Sequence, residues 1–262
     1  MSDWLHNLPV VWMTLAIAGG TYLATALIYA IVKAVAKGER AIAFKIVSPS
    51  MLPPLGVLFG LFVAATAAQV WNDTERARSA VSHEAAALSA VVFLSTSFPG
   101  EPEARMRALV HAYIDEAVTQ EWPEMARRAT LRITPQPLAD ALQLVLSLTP
   151  GNRGQETAQR GIVDALESAL NARQDRIIVS RAYVNLLMWA CLAVQAICML
   201  VSIAIVHIDN WRAAAISLGL FATGVAVSVL LILAHDRPFT GEISIRPDPL
   251  LNVMPKVEAS QK

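Results

Sequence analysis

The run IVSPSMLPPLGVLFGLFVAATAAQV, residues 46–70, carries no charged side chain over 25 positions. A helix rises about 1.5 Å per residue, so about 20 residues match a hydrocarbon core ~30 Å thick. A single charge at mid-helix would cost about 2.5–3.5 kcal/mol on insertion scales. The run therefore predicts a transmembrane helix. Three more runs of the same kind occupy residues 8–32, 182–208 and 213–234. Four spans are expected, and an even number places both termini and the long segment between spans two and three on one side. Trp4, Trp12, Trp71, Trp189 and Trp211 stand near run ends, as an interfacial aromatic belt requires.

Composition agrees with this reading. Of 262 residues, 55% are hydrophobic and 16% charged, whereas soluble domains average about 45–50% and about 25%. That excludes a disordered chain, a nucleic-acid binder built on a basic face and an ordinary soluble enzyme. The formal net charge is zero, from 21 basic and 21 acidic residues, so no global field attracts a charged partner. Cys191 and Cys198, one heptad apart in a single apolar run, read as small packing residues.

The chain divides into spans one and two (1–71), a helical extramembrane bundle (72–181), spans three and four (182–234) and a C-terminal tail (235–262). After Trp71 the apolar residues Ala77, Val81, Ala85, Leu88 and Val92 recur every three or four positions, so the second span continues as one long helix. Pro99-Gly100-Glu101-Pro102 ends it. A second helix turns Met106, Leu109, Val110, Tyr113, Ile114 and Val118 inward and stops at Trp122-Pro123. A short helix covers 138–148. A last one runs from Gln155 through Ile162, Leu166, Leu170 and Ile177 into span three. Strand alternation is absent, so the expected fold is all-α, with four transmembrane helices and a helical bundle inserted between spans two and three. The bundle holds 26 of the chain's 42 charges, 12 Arg against 14 acids.

Chemistry is sparse. No Gly-rich phosphate loop, nucleophile elbow or HExxH is present. His83 and Glu84 are adjacent and point to different sides of a helix. His111 and Asp115 share a face, but two ligands make no metal site. An enzyme, a metal centre and a cofactor are therefore not expected. The second span is more informative. It opens with Pro53-Pro54, holds the small-xxx-small pair Gly56 and Gly60, and places Pro54, Leu58 and Phe62 four apart on one stripe. Several copies packed about an axis would make that stripe an apolar constriction; ordinary helix packing inside one subunit is the alternative.

Residues 53–62 followed by Trp71-Asn72-Asp73 resemble the pore helix of bestrophin anion channels, in which an apolar neck precedes a Trp-containing motif at the cytosolic exit. The resemblance implies a neck at Pro54, Leu58 and Phe62. Over most of its length the chain also resembles a group of bacterial membrane proteins described as bestrophin-like, through Val70-Trp71-Asn72-Asp73, Glu121-Trp122-Pro123 and Asp236-Arg237-Pro238-Phe239-Thr240-Gly241. Pro54 departs from the branched apolar residue usual in the neck, and no compact acidic run matches the calcium clasp of animal bestrophins. Counting basic residues near span ends leaves orientation open: Lys33, Lys37, Arg40, Lys45 and Arg212 on one side, Arg76, Arg78, Arg173, Arg176, Arg181, Arg237 and Arg246 on the other. The resemblance implies a cytosolic bundle; a periplasmic one is the alternative.

The expected protein is thus an oligomeric, multi-pass protein of a bacterial inner membrane. Its partners are the lipid bilayer, further copies of itself and small anions, not nucleic acid. Arg76 and Arg78 would raise the local anion concentration at the exit. The competing expectation is a non-conducting interaction or signalling protein anchored by its spans. Arg237 is expected to cap the last carbonyls of span four, or to pair with an acid, while Pro238 ends that span and Gly241 makes a turn.

Overall fold

The computed structural model describes residues 9–36, 39–127 and 135–253, giving only the helical course for 39–48. Among the described residues there is no strand. The helices are α1 (Val10–Val35), α2 (Glu39–Ser95), α3 (Glu101–Glu116), a π-helical turn (Ala117–Glu121), α4 (Trp122–Ala126), α5 (Gln136–Ser147), α6 (Arg153–Ser180), α7 (Leu186–Val206), α8 (Trp211–His235) and α9 (Asp248–Leu251). Among the described residues four stretches are long and apolar enough to cross a membrane: Val10–Val35, Pro49–Ser95, Leu186–Val206 and Trp211–His235. Leu8, the first residue expected in span one, and Lys37 in the first loop lie outside the described residues.

Two compact units emerge. One comprises the residues up to Asn72 with Tyr183–Arg237 and Gly241–Ile243; the other comprises Asp73–Ala182, Pro238–Thr240 and the chain from Ser244. In the first, Val32, Leu200, Ile203, Ala204, Ala214 and Leu218 form one apolar cluster, and Val70, Val184, Leu192 and Ile232 form a second. Tyr22 Oη and Thr223 Oγ1 hydrogen-bond across α1 and α8 at 2.7 Å. The N–H of Val10, an orphan donor at the start of α1, is satisfied at 3.1 Å by Glu242 Oε2.

Pro53-Pro54 do not open a helix, as the sequence reading had it; they lie inside α2 together with Pro49. Neither can donate an N–H to the carbonyl four residues back, which would break an exposed helix in water. Membrane helices keep such prolines because no other conformation satisfies the rest of the backbone there. The same helix carries on unbroken from residue 73 to Ser95, as the amphipathic spacing predicted.

The second unit packs residues 73–95 of α2 with α3, α4, α5, α6 and α9 around Leu88, Val91, Val110, Ile114, Leu138 and Leu166, each 0% exposed. Gly100 makes the turn before α3 with φ of 95°, a conformation open to Gly at little cost. At Gly161 on α6, a Cβ would lie 2.9 Å from Leu94 Cδ1 on α2, so the missing side chain lets those helices approach. The start of α6 is a reciprocal cap: Asn152 Oδ1 accepts from the Gln155 N–H at 2.9 Å, and Gln155 Oε1 accepts from the Gly151 N–H at 2.7 Å.

Two boundaries differ from expectation. Trp122-Pro123 do not stop the second helix, because the π-helical turn carries it on to Ala126. Nor does α6 run into span three; it ends at Ser180, and five non-helical residues follow. There Asn185 Oδ1 caps α7 through the Leu187 N–H at 3.2 Å, and the buried Asp236 accepts from the Val184 N–H at 2.6 Å.

Candidate functional site

Within the unit holding the spans, α2 turns one apolar arc away from that unit's other described residues. Pro54 is exposed, and Val57, Leu58 and Leu61 are 70%, 55% and 67% exposed. Ala64, Ala65 and Ala68 extend this arc, and a Cβ at Gly60 would meet open space. Among the described residues these small side chains are therefore not consumed by packing; at Gly56 the nearest atom is an ordinary contact, Met199 Cε at 3.7 Å. Phe62, at the edge of the arc, is half-buried against the cluster around Val70 and Ile232, so Leu61 falls more squarely on the line of Pro54 and Leu58. This follows from the 100° step: a four-residue stripe drifts about 40° per repeat and walks off any one face.

Trp71 is 62% exposed, with its ring 6.2 Å from that of His235. Just beyond, Arg76 Nη1 lies 3.9 Å from Asp73 Oδ1, and Arg78 Nη1 3.0 Å from Glu75 Oε2. Both arginines are well exposed, so these pairs are worth little in stability. Each guanidinium nonetheless has a carboxylate beside it, which reduces the positive field it projects. Asn72 is exposed beside them.

The second unit contains a charged core that the sequence reading missed. Glu84 on α2 and Arg176 on α6 are both 0% exposed, and Glu121 in the π turn is 1% exposed. Glu84 Oε2 accepts from Arg176 Nε at 2.7 Å, Glu84 Oε1 accepts from Arg176 Nη2 at 3.0 Å, and the Tyr113 hydroxyl donates to the same Oε1. Arg176 Nη2 also donates to Glu121 Oε2 at 2.8 Å, while Glu121 Oε1 accepts from Arg173 Nε at 2.8 Å. The Arg176 guanidinium stands 4.7 Å over the Trp122 ring, a cation–π contact. Two acids and two arginines leave the cluster neutral. Burial opposes the charge on Arg176, but the Glu84 carboxylate outweighs it and raises its pKa. Burial and the same carboxylate hold the Tyr113 phenol well above its ordinary value. Each carboxylate oxygen is engaged, so the cluster offers no free carboxylate to a substrate and ties three helices together.

The signal was present as phase. Ala77, Val81, Glu84, Leu88 and Val91 follow a 4,3,4,3 spacing, as do Ile162, Leu166, Ala169, Arg173 and Arg176. A charge on a core stripe needs a buried partner.

The motif at 236–241 divides its work. Asp236 serves the spans through Val184. α8 ends at His235, and Pro238 beyond it accepts from the Ile245 N–H at 2.8 Å, Phe239 packs edge-on against Trp122 at 5.7 Å, and Gly241 turns with φ of 89°. Thr240 Oγ1 donates to the Ala126 carbonyl at 2.9 Å, and Trp122 Nε1 to the Ile245 carbonyl at 3.1 Å. Arg237 is half-buried beside these contacts. His111 is half-buried and Asp115 exposed. Among the described residues no three His, Cys, Asp or Glu side chains converge. Both cysteines are free, and Cys198 is exposed rather than packed.

A family model described as a Bestrophin-like domain matches residues 19–250. A crystal structure of a point mutant of a bacterial bestrophin homolog from Klebsiella pneumoniae shares the fold with a TM-score of 0.68 at 12% identity. The alignment covers 90% of this chain and 97% of that one. No curated protein matches the sequence.

Proposed function

The chain belongs to the bestrophin-like family, and from that premise we propose that it assembles as a homo-oligomeric ring in a bacterial inner membrane. The ring encloses an anion path lined by α2. One observation carries this reading: the arc of Pro54, Leu58, Leu61 and Ala65 is apolar and exposed, with no helix covering it among the described residues. A lipid-facing helix would also expose apolar residues, but it has no need of the alanine and glycine run that lets copies approach closely. In the ring, Pro54 and Leu58 form the apolar neck with Phe62 and Leu61 sharing its last step, and narrow apolar sections gate by dewetting. Trp71, Asn72 and Asp73 mark the exit. Arg76 and Arg78 stand there too, their attraction for anions reduced by Asp73 and Glu75.

The unit built from residues 73–182 is proposed as a cytosolic helical bundle inserted between spans two and three, with the termini on the same side. The mass of the detergent-solubilised protein tests the assembly. A ring of four or more copies is expected; a monomer or dimer would favour a non-conducting anchored protein.

A further inference from the structure

The π-helical turn changes which residues face the core. Met106, Val110, Tyr113, Ile114 and Ala117 are buried, and set the inward face of α3. At 100° per residue, an unbroken α-helix would next turn Glu121 and Glu124 inward and leave Trp122 outward. The Trp122 N–H instead reaches the carbonyl of Ala117, five residues back. That extra residue shifts everything beyond by about 100°. Trp122 and Met125 become buried, at 9% and 1% exposure, while Glu124 is only half-buried.

The contacts that follow depend on this phase. Trp122 lies beneath Arg176, whose Nη1 is 3.4 Å from Met125 Sδ. Trp122 also carries Phe239 on its ring and the Ile245 carbonyl on its indole N–H, and the Ala126 carbonyl receives Thr240. We infer that Ala117–Glu121 is a two-position register device. Wound as π, it seats Phe239, Thr240 and Ile245 on Trp122 and Ala126; wound as α, it swings Trp122 away and unseats them. The π position is held by chemistry at the other one, since the α phase would bury the Glu124 carboxylate near Glu121, with Arg173 and Arg176 already engaged.

Two changes to the full-length protein separate the positions. Glu124→Leu removes the carboxylate's share of the cost of the α phase, leaving only the contacts of Trp122, Met125 and Ala126 to hold the π winding. Deleting Gln120, an exposed residue of the turn, yields a plain α-helix that keeps Glu121, Trp122 and Met125 on their present faces and Glu124 outside. Hydrogen–deuterium exchange of residues 238–245 is the readout. Glu124→Leu is expected to speed exchange about tenfold, and the Gln120 deletion to restore the parental rate in the same background. No acceleration by Glu124→Leu, or an equal one with Gln120 deleted, would overturn the inference. So would a deletion protein that fails to fold while Gln120→Ala folds.

Discussion

Replacing Arg176 by Met tests whether the buried clasp is held by charge balance or by shape. Glu84 and Glu121 are offset by Arg173 and Arg176, so the core sums to zero. Arg176→Met keeps most of the side-chain volume and leaves a net charge of −1, with Glu84 stripped of both guanidinium bonds. Removing one partner of a buried pair costs about 3–5 kcal/mol, chiefly through the charge left behind. In the double variant Glu84→Gln with Arg176→Met the core is neutral again, Glu121 keeps Arg173, and the Tyr113 hydroxyl can donate to the carboxamide oxygen that replaces its carboxylate acceptor. Most of the loss should return, as a coupling of about 2–3 kcal/mol. At about 2–8 °C of melting temperature per kcal/mol, the single variant should melt well below the parent and the double variant close to it. Thermal unfolding of the purified protein, followed by circular dichroism, measures both. If the double variant melts as low as Arg176→Met, charge imbalance is not the cause.

Two further outcomes follow from the same geometry. Tyr113, whose phenol is held protonated above its ordinary value, contributes stability that is complete below about pH 10 and is lost as pH rises through the folded-state value. Tyr113→Phe should lower neutral-pH stability by about 1.5–3 kcal/mol, the worth of a bond to a charged acceptor, and flatten the alkaline decline seen in a pH series of melting curves. Asp236→Ala leaves the Val184 N–H without its acceptor, at a cost of about 1–3 kcal/mol; faster hydrogen exchange at Val184, with spans three and four still formed, is the expected signature.

The spans were legible because a bilayer punishes charge so heavily that its absence over twenty positions has one reading. The turns at Pro99-Gly100 and Pro150-Gly151 were legible for a local reason, since those residues constrain the backbone wherever they stand. Pro53-Pro54 misled because the same residues in a membrane helix cost less than any alternative backbone. The π turn was invisible, because a one-residue insertion leaves no composition signal; it shows only when the inward face of α3 is carried forward and Glu124 lands in the core in place of Trp122. Glu84 and Arg176 were readable as charges on an apolar stripe, yet partners 92 positions apart cannot be matched by local spacing. The break before α7 needed Asp236 from the far end of span four to become apparent. For α2 the sequence showed a stripe, and only three-dimensional packing could show that Leu61 is exposed and Phe62 turned partly inward.

The most direct test of the central claim is chloride efflux from liposomes containing the purified protein. Efflux above that of empty liposomes is expected, and faster efflux when Leu58→Ala widens the apolar section on the exposed arc. Efflux no greater than that of empty liposomes, or a rate indifferent to both Leu58→Ala and Leu61→Ala, would contradict it.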